Sequence, residues 1–173
     1  MKPLAYLQAY PEDLRNQVRQ LLEQQGLAAW LRRKYPGAHG IRTDGALYQY
    51  VTTLKNEYMR GAEAVSKVAF DSKIHVIRNA LGLHSTVARV QGSRLKAKRE
   101  IRVAALFRDA PLEFLRMIAV HELAHLRERE HGRAFYQLCE HMEPTYHQLE
   151  LDLRLYLTHL DQGGERLWGS SAA

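Results

Sequence analysis

His121, Glu122 and His125 stand in the stretch VHELAHLREREHGRAFY (residues 120–136) as an HExxH pattern, and His131 follows six residues after His125. Imidazole nitrogens are good ligands for a borderline-soft divalent cation such as Zn2+, and a neighbouring carboxylate suits proton transfer. On an α-helix a spacing of four is about 400° of rotation and roughly 6 Å of rise. His121 and His125 therefore project from one face and reach a common ion at about 2.0–2.1 Å. Glu122 lies about 100° around from His121, too far to share the ion comfortably but well placed to hold its water and act as general base. A catalytic zinc needs a third protein ligand and an open position. His131 is the candidate, yet on a straight helix it would sit some 240° around from His125, so the reading demands a break in the backbone between them. With nine histidines in 173 residues, a chance HExxH is expected only about 0.03 times per chain. The competing reading is a polar helix face whose histidines hydrogen-bond within the fold. It must explain why apolar Phe114 and Ile118 share that face, because adjacent buried imidazoles without a metal need unusual partners.

The chemistry requires a helix under the motif, and the flanking sequence supplies one. Asp109 followed by Pro111 marks a helix start, and PLEFLRMIAVHELAHLRE continues in good helix formers without a Gly or Pro break. GRAFYQLCEHM reads as a new helix with Phe135, Leu138, Cys139 and Met142 on its core face, so a turn around residues 127–131 is expected. LELDLRLYL is also read as helix, because it lacks β-branched residues and Leu149, Leu153, Tyr156 and Leu160 share one face. Upstream, PEDLRNQVRQLLEQQG is a helix stopped at Gly26, and a short helix through Trp30 and Leu31 ends before Pro36. Thr43 or Asp44 caps a third helix carrying Leu47, Val51, Leu54 and Tyr58. From residue 66 the period changes: SKVAF, KIHVIR, STVARVQ and REIRVAALF are short and β-branched, predicting two to four strands in a small antiparallel sheet.

Composition narrows the class. A chain of 173 residues with 46% hydrophobic content supports one globular domain with a real core, with room for an appended subdomain. Its apolar runs fall short of the roughly 18 residues a membrane span needs, and MKPLAYLQAYPEDLR lacks a signal-peptide core, so a cytoplasmic, non-membrane protein is expected. Cys139 is the sole cysteine, which excludes an internal disulfide and a cysteine-rich zinc cluster. Any metal must use His, Asp or Glu. The net charge of +6 permits attraction to polyanions, and GSRLKAKREIR (residues 92–102) is the densest basic stretch. A solvated hairpin explains that stretch better than a nucleic-acid interface, since no recognition motif accompanies it.

VHELAHLREREHGRAFYQLCEHMEPTYHQLELDLRLYL resembles the C-terminal half of the YgjP-like metallopeptidases, relatives of SprT-like and other HExxH zinc hydrolases. The likeness runs over about residues 84–160, from the hairpin HSTVARVQGSRLKAKREIRVAALFRDAP onwards, and is most specific over 120–136. It implies zinc on His121, His125 and His131, the last in HGRAFY, with Glu122 as catalytic acid/base. VQGS stands where the family often has Trp-Gly-Ser-Cys, which leaves the hairpin's part in shaping a substrate groove open. The helical first third has no counterpart in the resemblance. The expected architecture is α+β: a helical N-terminal region (1–65), a zincin-like metallopeptidase domain (66–162) of small antiparallel sheet, active-site helix and C-terminal helices, and a flexible tail (163–173).

Glutamate-type zincins take their third ligand from a later helix, and Glu140, Glu143 and Glu150 are rivals to His131 on that pattern. The spacing from His125 to His131 instead equals that of the metzincins, but Glu128 replaces their turn glycine and argues against their geometry. His131 is preferred because imidazole suits zinc and it lies closest in sequence. His39, His75, His84 and His159 read as surface or satisfied core. His141, His147, Tyr136 and Tyr146 are nearer candidates for stabilising an oxyanion or holding a metal ligand, and sequence does not choose among them. The function expected is zinc-dependent hydrolysis of a peptide or protein substrate by metal-activated water with Glu122 as base. The alternatives are an SprT-like protease tethered to nucleic acid by the basic hairpin, and a binding module with a structural zinc.

Overall fold

The computed structural model describes the backbone of residues 1–74, 83–91 and 94–169, and the side chains of 1–74 and 99–169. The described elements are α1 (Glu12–Glu23), α2 (Leu27–Lys34), α3 (Asp44–Tyr58), β1 (Val65–Asp71), β2 (Leu83–Gln91), β3 (Arg94–Ala104), α4 (Leu112–Ala124), α5 (Arg133–Met142) and α6 (Tyr146–Asp161). Short 3-10 turns occupy Ala5–Leu7 and Ala105–Asp109. No described helix is long and apolar enough to cross a membrane.

The local rules that place the helices act at their ends. Pro11 precedes α1, and Glu12 and Asp13 complement the dipole of its first turn. At the other end the left-handed residue is Gln25 (φ 55°), one position before the expected stop, and Gly26 N–H closes back on Leu21 O at 2.8 Å. Thr43 caps α3, its Oγ1 accepting from Ala46 N–H at 3.1 Å. Asp44 is used differently: its carboxylate accepts from Phe70 N–H at 2.9 Å and ties the helix start to β1.

The sheet corrects the expectation of a small antiparallel one. Its strand order is β1-β3-β2, and β1 pairs with β3 in parallel, with Val68 opposite Ile101 and Phe70 opposite Val103. Only β2 and β3 are antiparallel, with His84 opposite Ile101 and Gln91 opposite Arg94. Consecutive strands pair most often, yet β1 and β2 are not neighbours. Here the chain leaves β1 and begins β2 on the far side of β3, so the third strand becomes the central one. Most of KIHVIR, with His75, and the Gly92-Ser93 turn lie outside the described residues, as do the side chain of His84 and most of the basic stretch.

One continuous core joins all of this. Leu7 from the first 3-10 turn and Leu31, Leu47 and Val51 from the N-terminal helices are in the same cluster as Ile101, Phe107, Phe114, Ile118, Phe135, Leu153 and Tyr156. Helix α4 runs through its centre, packed on α3, α5, α6 and β3. Every residue from Met117 to Ala124 is buried, including His121 and Glu122. Burial of an apolar helix on several sides at roughly 25 cal/mol per Å2 fixes its axis, and with it the motif residues it carries. On α6 the fully buried Asp152 accepts from Tyr35 hydroxyl and Gln148 amide and pairs with Lys34 Nζ at 2.6 Å. Trp168 Nε1 donates to Tyr35 O at 2.7 Å, which sets the last described turn against the same residue.

Candidate metal centre

Helix α4 ends at Ala124, and His125 caps it in helical backbone conformation. The chain then tightens: Arg127 and Glu128 N–H both return to Ala124 O, at 3.1 and 3.0 Å. Extended backbone at Gly132 opens α5. This is the break that a third ligand at His131 requires. Among the described residues positive φ occurs only at Gln25, Gly163 and Gly169, so the reversal is made without a left-handed residue at Glu128.

The reversal brings three imidazoles together. His125 Nε2 lies 3.3 Å from His121 Nε2 and 3.0 Å from His131 Nε2. Four tetrahedral ligands at about 2.0–2.1 Å from an ion sit roughly 3.3–3.4 Å from one another, so the observed separations fit a common ion after slight expansion. Phe135, buried at the start of α5, backs all three rings, with centroids 5.0, 4.6 and 4.9 Å from those of His121, His125 and His131. Among the described residues these three form the one group of His, Cys, Asp or Glu side chains able to hold an ion. The rival glutamates are engaged elsewhere: Glu143 with Arg116, Glu150 with Arg154, and Glu140 with His147.

Hydrogen bonding at the outer nitrogens fits the same use. His125 Nδ1 lies 2.9 Å from Glu128 O. A carbonyl only accepts, so Nδ1 carries the proton and Nε2 presents its lone pair to the centre. His121 Nδ1 lies 2.8 Å from Tyr146 hydroxyl at the first turn of α6. Burial, then the neighbouring His125 and His131, push His121 down to about 3, which keeps it a neutral imidazole rather than a cation. Glu122 is 1% exposed, and its Oε2 has no hydrogen-bond partner. Burial pushes its carboxyl up to about 8 in the metal-free chain, since nothing polar around it supports the charge. A buried carboxylate oxygen without a partner, one residue from converging imidazoles, is the orphan that a nearby cation and its water would satisfy.

The remaining histidines are accounted for locally. His39 Nε2 meets Phe107 O while its Nδ1 accepts from Ile41 N–H, and His159 meets Glu165 O. His141 packs edge-on against Tyr58, and His147 pairs with Glu140. Of the four nearer candidates, Tyr146 is the one placed on a motif histidine. Sequence did not choose it among the four, because the register between α4 and α6 is a tertiary fact.

No solved structure matches the chain. A family model, the YgjP-like metallopeptidase domain, matches residues 62–156, which include the sheet, the motif helix and most of α6. The UTP pyrophosphatase of Escherichia coli (strain K12) is 59% identical over 167 residues, covering 96% of this chain and all of the relative. Sequence resemblance had left the N-terminal helices without a counterpart, and this match extends over nearly all of them. With the motif on a buried helix, three imidazoles converging after it, and both matches spanning that arrangement, the chain belongs to the YgjP-like metallopeptidase family.

Proposed function

We propose that this protein is a zinc-dependent hydrolase of nucleoside triphosphates, with the ion on His121, His125 and His131 and Glu122 as general base. The observation that carries the hydrolase reading is the meeting of three imidazole Nε2 atoms, one of them on the residue before Glu122, whose buried Oε2 has no hydrogen-bond partner. Three neutral nitrogen ligands suit zinc better than magnesium or calcium, which prefer oxygen. When bound, such an ion supplies Lewis-acid polarisation and lowers the pKa of a water it binds. Glu122 takes the proton from the attacking water as its oxygen adds to the α-phosphorus, and the α–β phosphoanhydride P–O bond breaks to release pyrophosphate and leave the nucleoside monophosphate. The ion's positive charge favours the ionised form of Glu122 that this step needs.

The substrate class comes from the relative, which is named for UTP and aligns with nearly the whole chain. A net charge of +6 suits a polyphosphate substrate. Peptide hydrolysis is the second reading, favoured by the metallopeptidase family and by HExxH itself, since the same base would serve a scissile carbonyl. The test incubates the metal-loaded protein with UTP, other nucleoside triphosphates and a peptide library, with and without chelator. UMP and pyrophosphate that disappear with chelator and with E122Q support the proposal. Peptide cleavage without nucleotide hydrolysis selects the second reading, and inactivity on both with stoichiometric metal bound overturns both substrate assignments.

A further inference from the structure

We infer that Tyr146 is a positioning residue for the metal centre: its hydroxyl accepts from His121 Nδ1–H and thereby holds the ring with Nε2 turned to the ion. The geometry is a 2.8 Å contact between buried groups on different helices, α4 and α6. Coordination through Nε2 leaves the imidazole proton on Nδ1, and a proton buried there needs an acceptor. Tyr146 oxygen is that acceptor. Tyr146 is itself fully buried, so the acceptor it offers His121 is held by the packing of α6. The contact thus links α4 and α6, two of the helices that frame the site. His125 achieves the same end with the Glu128 carbonyl of its own loop. The two partners differ in kind. The carbonyl is fixed by the turn that delivers His131, whereas the tyrosine ties the site to the packing of α6.

This rests on the metal-site reading, and the experiment separates the two. Zinc affinity of the full chain is measured by competition with a chromophoric chelator for the wild type and Y146F. The phenylalanine keeps the ring and removes one oxygen. A loss of about 10–100-fold in affinity, with metal-free Y146F melting within a few degrees of wild type, is the expected result. Equal affinities would overturn the role of Tyr146 while leaving the site intact. A wild type that binds no zinc would sink both. Should Y146F fail to fold, imidazole nitrogen NMR of the zinc-loaded wild type decides: a His121 Nδ1–H that is hydrogen-bonded and slow to exchange supports the assignment, and one that exchanges freely with water overturns it.

Discussion

The Nε2 atoms of His125 and His131 lie 3.0 Å apart across a reversal that contains no left-handed residue. The placement of His131 beside His125 therefore depends on the hydrogen bonds that close the helix end on Ala124 O, and on Gly132 opening the next helix in extended conformation. His131 is itself exposed, so little folding energy is invested in its side chain. His131→Ala is expected to leave the melting temperature of the metal-free protein within a few degrees while weakening zinc binding by about 100-fold or more. Chelator competition together with a thermal melt checks both halves.

Glu122 makes the opposite prediction. It is not needed to hold the ion, so E122Q should retain stoichiometric zinc while turnover falls by about 100- to 10,000-fold. Metal analysis beside a kcat measurement distinguishes loss of the base from loss of the site. Unchanged turnover with metal present would remove Glu122 from the reaction.

Metal removal should also be visible as stability. An ion that binds only the folded chain stabilises it by about 2.7 kcal/mol at a free concentration 100 times its Kd. Chelator is expected to lower the melting temperature of the wild type by several degrees and to leave H125A unaffected, because that variant lacks the imidazole that touches both of the others. An equal chelator effect on H125A would place the stabilising ion elsewhere.

The helices and the side-by-side placement of His121 and His125 were legible because their determinants are local. His121 and His125 need only a helix beneath them, and Pro111 with an unbroken run of helix formers guarantees one. His131 was legible as a demand for a chain break, not as a direction. The parallel pairing of Val68 with Ile101 was not legible, since strand order is decided by long-range contacts that β-branched runs do not encode. Tyr146 fell in the same class: nothing near residue 146 reports that a histidine 25 positions upstream will face its hydroxyl.

The buried Asp152 should behave as a hub. It accepts from Tyr35 and Gln148 and pairs with Lys34, whose side chain is 38% exposed. D152A strands the Tyr35 hydroxyl and is expected to cost about 2–4 kcal/mol. D152N keeps an acceptor for Tyr35, and the exposed end of the ion pair is worth little, so a cost nearer 1 kcal/mol is expected. Urea unfolding of the two variants tests the ranking, and equal losses would assign the energy to charge rather than to the hydrogen bonds.

Glu143 links acid stability to the turn that delivers Tyr146. Burial alone would raise its carboxyl, but hydrogen bonds from Thr145 and from the Arg116 guanidinium outweigh that and hold it below the ordinary carboxylate range. A folded-state value below the unfolded one means the folded form prefers the ionised carboxylate. Its stabilisation is complete above the unfolded value and is lost as pH falls from there through the folded one. E143Q is expected to cost about 1–2 kcal/mol at pH 7, with the difference from wild type shrinking towards zero in acid. Because Thr145 immediately precedes α6, loosening this contact should also weaken the hold of Tyr146 on His121. Zinc affinity of E143Q at pH 7 is therefore expected to fall several-fold, in the same direction as Y146F and by less. Zinc affinity identical to wild type would show that the turn anchors stability without reaching the metal centre.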